Sequence, residues 1–215
     1  MRRNILGAGS QGRVVLEAWR AQHPADDFVF LDDNPLLHGT EILGAPVIGP
    51  LSAFNGLGEI VLAVGNNLLR LELGTFLAGL AATFGVVIHP TAFISPSAII
   101  SMGTIVLPGA RVHTGAFLGM HVVVNTGAIV EHDSIVEDGA SISPGVTMGG
   151  RVHIRRAAFI STGVTLAARC QVGEASIIGA GAVVVGAIGD KVLAYGVPAR
   201  AVRKIDETID FQSVL

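Results

Sequence analysis

One histidine of the chain has an acidic residue on either side. His132 lies between Glu131 and Asp133. A neighbouring carboxylate can orient an imidazole, fix its tautomer and raise its basicity, which a general base needs near neutral pH. Because adjacent strand residues point to opposite faces, His132 can pair with Asp133 only if the chain turns a corner there. On chemistry alone, a solvated surface histidine is the alternative interpretation.

A second candidate site lies near the N-terminus. Gly7, Gly9 and Gly12 have the spacing G-x-G-x-x-G between a predicted strand and a predicted helix. Such a turn directs backbone N–H groups and a helix N-terminus towards a phosphate. Asp32 follows Gly12 by twenty residues, at the tip of the second predicted strand, where a dinucleotide fold has its ribose-binding acid. A tight turn without a ligand would have the same sequence.

The phosphate-binding interpretation predicts a nucleotide-bearing ligand across the strand tips of the first domain. The residues expected to hold it are Gly9, Ser10, Gln11, Asp32, Asp33 and Gly65. A segment of about 85 residues with three predicted strands is short for a complete dinucleotide site, so we do not expect NAD.

The other histidines do not predict a metal site. Three lie in loop-like or proline-flanked segments, and three fall at different phases of the repeat described next, so they form no common column. They are His23, His38, His89, His113, His121 and His153. We therefore expect no metal. Cys170 is the only cysteine, which excludes an internal disulfide and suits a cytoplasmic protein.

A six-residue repeat determines the elements that position His132. From Ile88 to Val184 every sixth residue is apolar, and most are branched aliphatics. Six is a multiple of the strand period of two and fits no helical period, so the pattern predicts short strands that bury one face. Fixed repeats of this length are typical of a parallel β-helix, in which each coil buries its apolar residues by stacking on its neighbours.

Glycines in the repeat locate the corners of this β-helix. The position three residues after each apolar residue is glycine in half of the repeats. Since glycine tolerates positive φ, a recurring glycine marks a recurring corner. Asp133 has this position one repeat after Gly127, so the repeat predicts the corner that pairing with His132 requires. A membrane span is the competing interpretation of the apolar segment 175–189, but that segment is too short to cross a bilayer.

The residues before the repeat predict a different domain. Strands are expected at 4–6, 28–31 and 59–64, with helices at 13–22 and 68–84. Strands that alternate with helices indicate a small parallel sheet. We therefore expect a Rossmann-like α/β domain over residues 1–85 and a β-helix with a C-terminal tail over residues 86–215. The solenoid itself is expected to close after Val184.

Composition restricts the function classes. The 215 residues have a formal net charge of −3, which gives no electrostatic footprint for nucleic acid or an anionic membrane. The N-terminal segment has no apolar stretch long enough for a signal peptide. Only 14% of the residues are charged, which suits a solenoid whose flat faces are covered by sister subunits. We expect a cytoplasmic homo-oligomer without membrane insertion.

The order of several segments resembles a known family. The segments GAGSQG, FLDD and GNN, the repeat and the closing GVPAR are similar to those of bacterial sugar acyltransferases of the left-handed β-helix superfamily, over nearly the whole chain. Two groups that it resembles are the nucleotide-sugar N-acetyltransferases and the sialic acid O-acetyltransferases. The stretch from Asn125 to Asp133 is the most specific part, because the family has its catalytic base in an N-T…E-H-[DE] segment.

The resemblance implies a left-handed coil, a homotrimer and acetyl-CoA bound in a groove along the coils. It implies that His132 takes the proton of the attacking amine, that Asp133 raises its basicity and that Asn125 lies near the acceptor. The positions that contact acetyl-CoA correspond here to Ser141, Gly150, Thr162 and Ala180. Gly150 follows His132 by eighteen residues, so in a coil of three repeats it stacks on the base and leaves room for a ligand.

Two positions depart from the family pattern. Several relatives have a second histidine where this chain has Ser141, and some have a histidine where it has Gln11. Both changes leave the reaction class standing and bear on the acceptor. The expected function is acetyl-CoA-dependent N-acetylation of a nucleotide-linked, 4-amino dideoxy sugar in surface glycan synthesis. O-acetylation of a sugar such as sialic acid and a non-catalytic trimeric scaffold are the alternatives.

Overall fold

The computed structural model describes residues 1–205, in which an α/β domain precedes a β-helix. The first domain contains β1 (Arg2–Leu6), α1 (Ser10–Gln22), β2 (Asp27–Leu31), β3 (Glu41–Ile42), β4 (Ala45–Pro46), β5 (Glu59–Leu62), α2 (Asn67–Gly79) and β6 (Thr83–Phe84). Two 3-10 helices span Pro35–Leu37 and Leu51–Ala53. Strands β2, β1, β5 and β6 form a parallel sheet in that order, and β3 pairs with β4 in an antiparallel hairpin.

Helix α2 is shorter than the sequence predicted. It ends at Gly79, although the apolar pattern predicted a helix through Phe84. Ala81 has a φ of 56°, and the N–H of Ala82 donates to the carbonyl of Leu77 over 3.1 Å, which closes the last turn. The β-branched Thr83 and the aromatic Phe84 then pair with β5 as the fourth strand, an arrangement that suits their intrinsic preference for strands.

The β-helix consists of two-residue strands joined by corners. These strands are β7 (Val87–Ile88), β8 (Phe93–Ile94), β9 (Ile99–Ile100), β10 (Ile105–Val106), β11 (Arg111–Val112), β12 (Phe117–Leu118), β13 (Val123–Val124), β14 (Ile129–Val130), β15 (Ile135–Val136), β16 (Ser141–Ile142), β17 (Thr147–Met148), β18 (His153–Ile154), β19 (Phe159–Ile160), β20 (Thr165–Leu166), β21 (Gln171–Val172), β22 (Ile177–Ile178), β23 (Val183–Val184) and β24 (Ala187–Ile188).

Every third strand stacks in parallel, so the left-handed coil has three flat faces. Face 1 runs from β7 to β22, face 2 from β8 to β23 and face 3 from β9 to β24. Ile105 pairs with Val123, eighteen residues on, which is the predicted coil of three repeats. The first domain packs on face 1, since buried residues of α1 and the parallel sheet share a core with Val87, Ile105 and Val123.

The apolar column of the repeat fills the interior of the coil. From Val106 to Val184 each member of this column is at most 1% exposed. The corner position has a φ of 66° to 75° in its eight glycines, and six non-glycine residues at that position also adopt positive φ. These residues are His121, Asp133, Arg151, Ala157, Arg169 and Ala175. The coil therefore imposes the corner conformation even where the residue lacks the freedom of glycine.

The solenoid continues beyond Val184, where the sequence predicted its end. The last coil is two residues shorter, because Gln171 pairs with Ala187 and Ile177 with Leu193. Strand β25 (Val192–Gly196) extends face 1, and β26 (Ala199–Lys204) returns antiparallel to it after a cis peptide bond before Pro198. The remainder of the predicted tail, residues 206–215, lies outside the described residues. Over residues 1–205 no helix has the length and apolar character to span a membrane.

Candidate active site

The corner at residues 131–134, called the His132 corner, brings the predicted base and its acid together. Asp133 has a φ of 57°, and its N–H donates to the carbonyl of Thr114 over 2.9 Å. This turn directs the Asp133 side chain towards His132, so that Nδ1 lies 3.0 Å from Oδ2. Glu131 accepts from the backbone N–H of His132 over 2.9 Å. The predicted corner and the contact between the two side chains are both present.

The carboxylate determines the tautomer of His132. An ionised carboxylate only accepts hydrogen bonds, so Nδ1 must donate and Nε2 is left with the lone pair that can take a proton. The hydrogen bond from His132 holds the pKa of Asp133 below its usual range, and the nearby Arg151 lowers it further. Both side chains are half exposed. The arrangement can therefore act as a general base that is open to a ligand.

Gly150 lies against the ring of His132 from the next coil. A Cβ atom at position 150 would be 2.3 Å from Nε2 and 2.5 Å from Cε1 of His132. The N–H of Arg151 donates to the carbonyl of His132 over 2.9 Å, which fixes this stacking. The absence of a side chain at Gly150 therefore keeps the ring in place and the space at Nε2 open.

The three glycines of the G-x-G-x-x-G turn differ in what a side chain at their position would contact. Gly7 has a φ of 104°, and a Cβ there would be 2.7 Å from the carbonyl oxygen of Ala63. A Cβ at Gly12 would be 2.0 Å from the carbonyl oxygen of Gly7, so these two glycines are required by packing. A Cβ at Gly9 would meet nothing within 4 Å. Ser10 begins α1 without a side-chain cap, so open space and free N–H groups lie at this point.

The acidic residues Asp32 and Asp33 bind backbone groups of the first domain. Asp32 accepts from the N–H of Ala8 over 2.8 Å and from that of Asn34 over 2.9 Å. Asp33 accepts from the N–H of Leu51 over 2.9 Å. Asp32 therefore joins the glycine turn to the loop after β2, and its predicted contact with a ribose stays a prediction.

A cavity of about 190 Å³ opens where the first domain meets face 1. It is lined by Gln11, Gly65, Val123, Asn125, Ser141, Ile142, Ser143 and Phe159. Three residues predicted to bind the acceptor, Gln11, Gly65 and Asn125, thus meet in one place. Ser141, which the resemblance assigned to acetyl-CoA, lines the same cavity. We call it the interdomain pocket.

The interdomain pocket and the His132 corner are separate within one chain. Asn125 follows β13 and lies at the corner between faces 1 and 2, whereas His132 follows β14 and lies between faces 2 and 3. The predicted acetyl-CoA contacts divide in the same way. Gly150 is at the His132 corner, while Thr162 and Ala180 are exposed at the corner of Asn125.

Sequence reasoning missed a buried polar network behind the pocket. Arg70 of α2 is 1% exposed, and its guanidinium donates to the carbonyls of Val64, His121 and Gly139. It also donates to Asn67 Oδ1 over 2.8 Å and to Ser141 Oγ over 3.0 Å. A signal was present: the buried residues of α2 recur at helical spacing and include these two polar residues. They are Asn67, Arg70, Leu71, Gly74 and Leu77.

Metal ligands do not cluster in the part of the chain that the structure describes. Among residues 1–205 there is no group of three or more histidine, cysteine, aspartate or glutamate side chains that could hold a metal ion.

Solved structures that resemble this chain cover almost all of it. Perosamine N-acetyltransferase from Caulobacter crescentus, as a histidine-to-asparagine mutant in complex with CoA and GDP-perosamine, is 30% identical, with a TM-score of 0.89 over 95% of this chain and 98% of that chain. The acetyltransferase domain of PglB from Neisseria gonorrhoeae, in complex with acetyl coenzyme A, is 37% identical, with a TM-score of 0.89 over 94% and 98%. WeeI from Acinetobacter baumannii, 24% identical with a TM-score of 0.84 over 94% and 100%, shares the fold.

Family and sequence comparisons add two findings. The family model of the PglD N-terminal domain matches residues 4–75, which are most of the α/β domain. A comparison with curated proteins finds no match. The identity and the near-complete coverage of the first two structures confirm the family that the repeat and the Asn125–Asp133 segment indicated. The chain belongs to the sugar N-acetyltransferases of the hexapeptide-repeat, left-handed β-helix superfamily, and it is an acyltransferase.

Proposed function

We propose that this protein transfers the acetyl group of acetyl-CoA to the amino group of a nucleotide-linked, 4-amino dideoxy sugar. The observation that carries the proposal is the His132 corner, where Asp133 holds Nδ1 at 3.0 Å and Gly150 leaves Nε2 accessible. Bound CoA and GDP-perosamine in the Caulobacter relative support this pair of substrates. The proposed reaction takes place in the cytoplasm and contributes to surface polysaccharide synthesis, as the family resemblance implies.

The proposed chemistry is an acyl transfer with His132 as the general base. The amine lone pair attacks the thioester carbonyl carbon, so that a C–N bond forms and the C–S bond breaks. His132 Nε2 takes the proton that the nitrogen loses, and Asp133 stabilises the imidazolium that results. The imidazolium of His132 then gives this proton to the leaving thiolate of CoA, directly or through water, which restores the base.

The proposed division of work follows the domains. Residues 1–85 would bind the acceptor through Gly9, Ser10, Gln11, Asp32, Asp33 and Gly65, with Asn125 added from the coil. The open space at Gly9 and the uncapped start of α1 support a phosphate there. Residues 86–215 would bind acetyl-CoA through Ser141, Gly150, Thr162 and Ala180, of which Thr162 and Ala180 are exposed.

We further propose a homotrimer whose active site lies between subunits. His132 does not line the interdomain pocket of its own chain, so an acceptor bound in that pocket would need His132 from another copy. Closed cyclic symmetry does so if the Asn125 corner of each chain faces the His132 corner of the next. CoA would then contact both corners, which accounts for the division of its predicted contacts between them.

Subunit mixing tests the shared site. The variants His132→Ala and Asn125→Ala should each be inactive or nearly so as pure proteins. When they are co-expressed, about a quarter of the sites should combine an intact His132 with an intact Asn125. Turnover should then return to about a quarter of that of the unchanged protein. If both residues act within one chain, no site is repaired. Light scattering that gave a stable monomer at micromolar concentration would also overturn the trimer.

Acetyl-CoA turnover against a panel of acceptors tests the function itself. The panel contains GDP-perosamine, the nucleotide-linked amino sugar that precedes bacillosamine, and free sialic acid, and release of free CoA is measured. We expect turnover with at least one amino sugar nucleotide and none with sialic acid. Turnover of sialic acid alone would favour O-acetylation, and turnover of no acceptor would favour the scaffold.

A further inference from the structure

Arg70 is a buried cation without an acidic partner among the described residues. Its guanidinium, 1% exposed, has hydrogen bonds to oxygen atoms of Val64, Asn67, His121, Gly139 and Ser141 and has an ion pair with none of the carboxylates of residues 1–205. Burial lowers the pKa of Arg70 to about 10, so the side chain stays charged at neutral pH. A buried charge that is not neutralised acts on its surroundings more strongly than a solvated one.

The charged and titratable neighbours of Arg70 do not cancel this charge at face 1. Burial and the charge of Arg70 lower the pKa of His121 to about 4, so that histidine is neutral at pH 7. Asp138 accepts from the N–H of Met120 over 2.7 Å and borders a different cavity, together with Arg156 and His121. The interdomain pocket itself is lined by uncharged residues only.

Ser141 connects Arg70 to the interdomain pocket in a fixed orientation. Asn67 Nδ2 donates to the carbonyls of Ala157 and Ala158, so Asn67 Oδ1 faces Ser141 and Arg70. The Ser141 hydroxyl donates to Asn67 Oδ1 over 2.7 Å and accepts from Arg70 over 3.0 Å. A hydroxyl has one donor and two acceptor sites, so one lone pair is left for a ligand. Ser141 can therefore accept from a ligand N–H, and its own proton is already committed.

We infer that Arg70 is a positioning residue that keeps the acceptor amine in its neutral, nucleophilic form, by holding a positive charge one hydrogen bond behind the pocket and by fixing Ser141 as an acceptor. This inference rests on the proposed function. An ammonium group has no lone pair and cannot attack a thioester. A like charge about 4–6 Å away disfavours the ammonium form and lowers the pKa of the amine by about 1 unit.

Two substitutions of equal size at Ser141, next to Arg70, distinguish this electrostatic role from a purely structural one. Ser141→Asp adds a carboxylate between Arg70 and the amine, whereas Ser141→Asn has the same shape without the charge. With GDP-perosamine, or the panel member that the unchanged protein acetylates fastest, kcat is measured against pH at saturating acetyl-CoA. We expect the acidic limb of the profile to move to higher pH by about 1 unit in Ser141→Asp and to stay in place in Ser141→Asn. Equal limbs in the two variants would overturn the inference.

A second pair of variants, at Arg70, tests the inference if Ser141→Asp does not fold. Arg70→Gln removes the charge and Arg70→Lys keeps it, and both lose the planar guanidinium. The acidic limb should move to higher pH in Arg70→Gln and stay in place in Arg70→Lys. Thermal unfolding checks that both variants are folded. The same limb in both variants would contradict the role of charge. Failure of the proposed function looks different, because the unchanged protein would then acetylate no amino sugar nucleotide at any pH.

Discussion

Replacement of His132 by alanine should lower kcat roughly 10²–10⁴-fold and leave the fold intact. The imidazole is half exposed at a corner and contributes nothing to the apolar interior, so the coil should tolerate its removal. The substitution removes the lone pair on Nε2, which is available because Asp133 accepts the hydrogen bond from Nδ1. The measurement is steady-state turnover of the best acceptor from the panel, with circular dichroism and thermal unfolding to show that the fold is intact.

Two further variants show whether the loss of activity is specific to His132. His153→Ala removes a histidine of face 3 that pairs with Glu137 rather than with Asp133, and it should keep normal turnover. Asp133→Asn keeps the size of the side chain and should cost less than His132→Ala, because the imidazole stays and loses only its carboxylate. Near-normal turnover by His132→Ala would mean that the base lies elsewhere or that the amine needs none.

The sequence was sufficient to predict the coil because its information is local and repeated. Each aliphatic residue of the column meets the same environment, and the eighteen-residue register follows from three equal repeats. The corner at Asp133 could be predicted for the same reason, since Gly127 marks its position one repeat earlier. The end of α2 at Gly79 and the coil beyond Val184 could not, because both depend on pairing with distant strands.

The contacts between the two domains were beyond sequence reasoning for a different physical reason. Arg70 and Ser141 are 71 residues apart, and no period relates a helix of the first domain to a rung of the coil. Only the packing of the first domain on the coil shows that Arg70, on the buried face of α2, reaches the wall of the interdomain pocket. It also shows that Ser141, a departure from the family pattern, belongs to this network. The residue types were visible, but their partners were not.

Gly150→Ala should disable the site although it replaces no ionisable residue. A Cβ at this position would lie 2.3 Å from Nε2 of His132, closer than such atoms approach, so the half-exposed ring has to swing away. A displacement of about 1 Å from the productive geometry costs on the order of 10²-fold in rate, and we expect kcat to fall by about that factor.

A second glycine substitution shows whether this loss comes from His132. Gly189→Ala is the matched control, because its Cβ would meet nothing within 4 Å and its φ lies outside the left-handed region, as does that of Gly150. It should keep normal turnover. The Gly150→Ala variant should keep its unfolding temperature, since the ring can move into solvent while the backbone of the coil stays in register. Full activity in Gly150→Ala would show that the reaction does not depend on where Gly150 holds the imidazole.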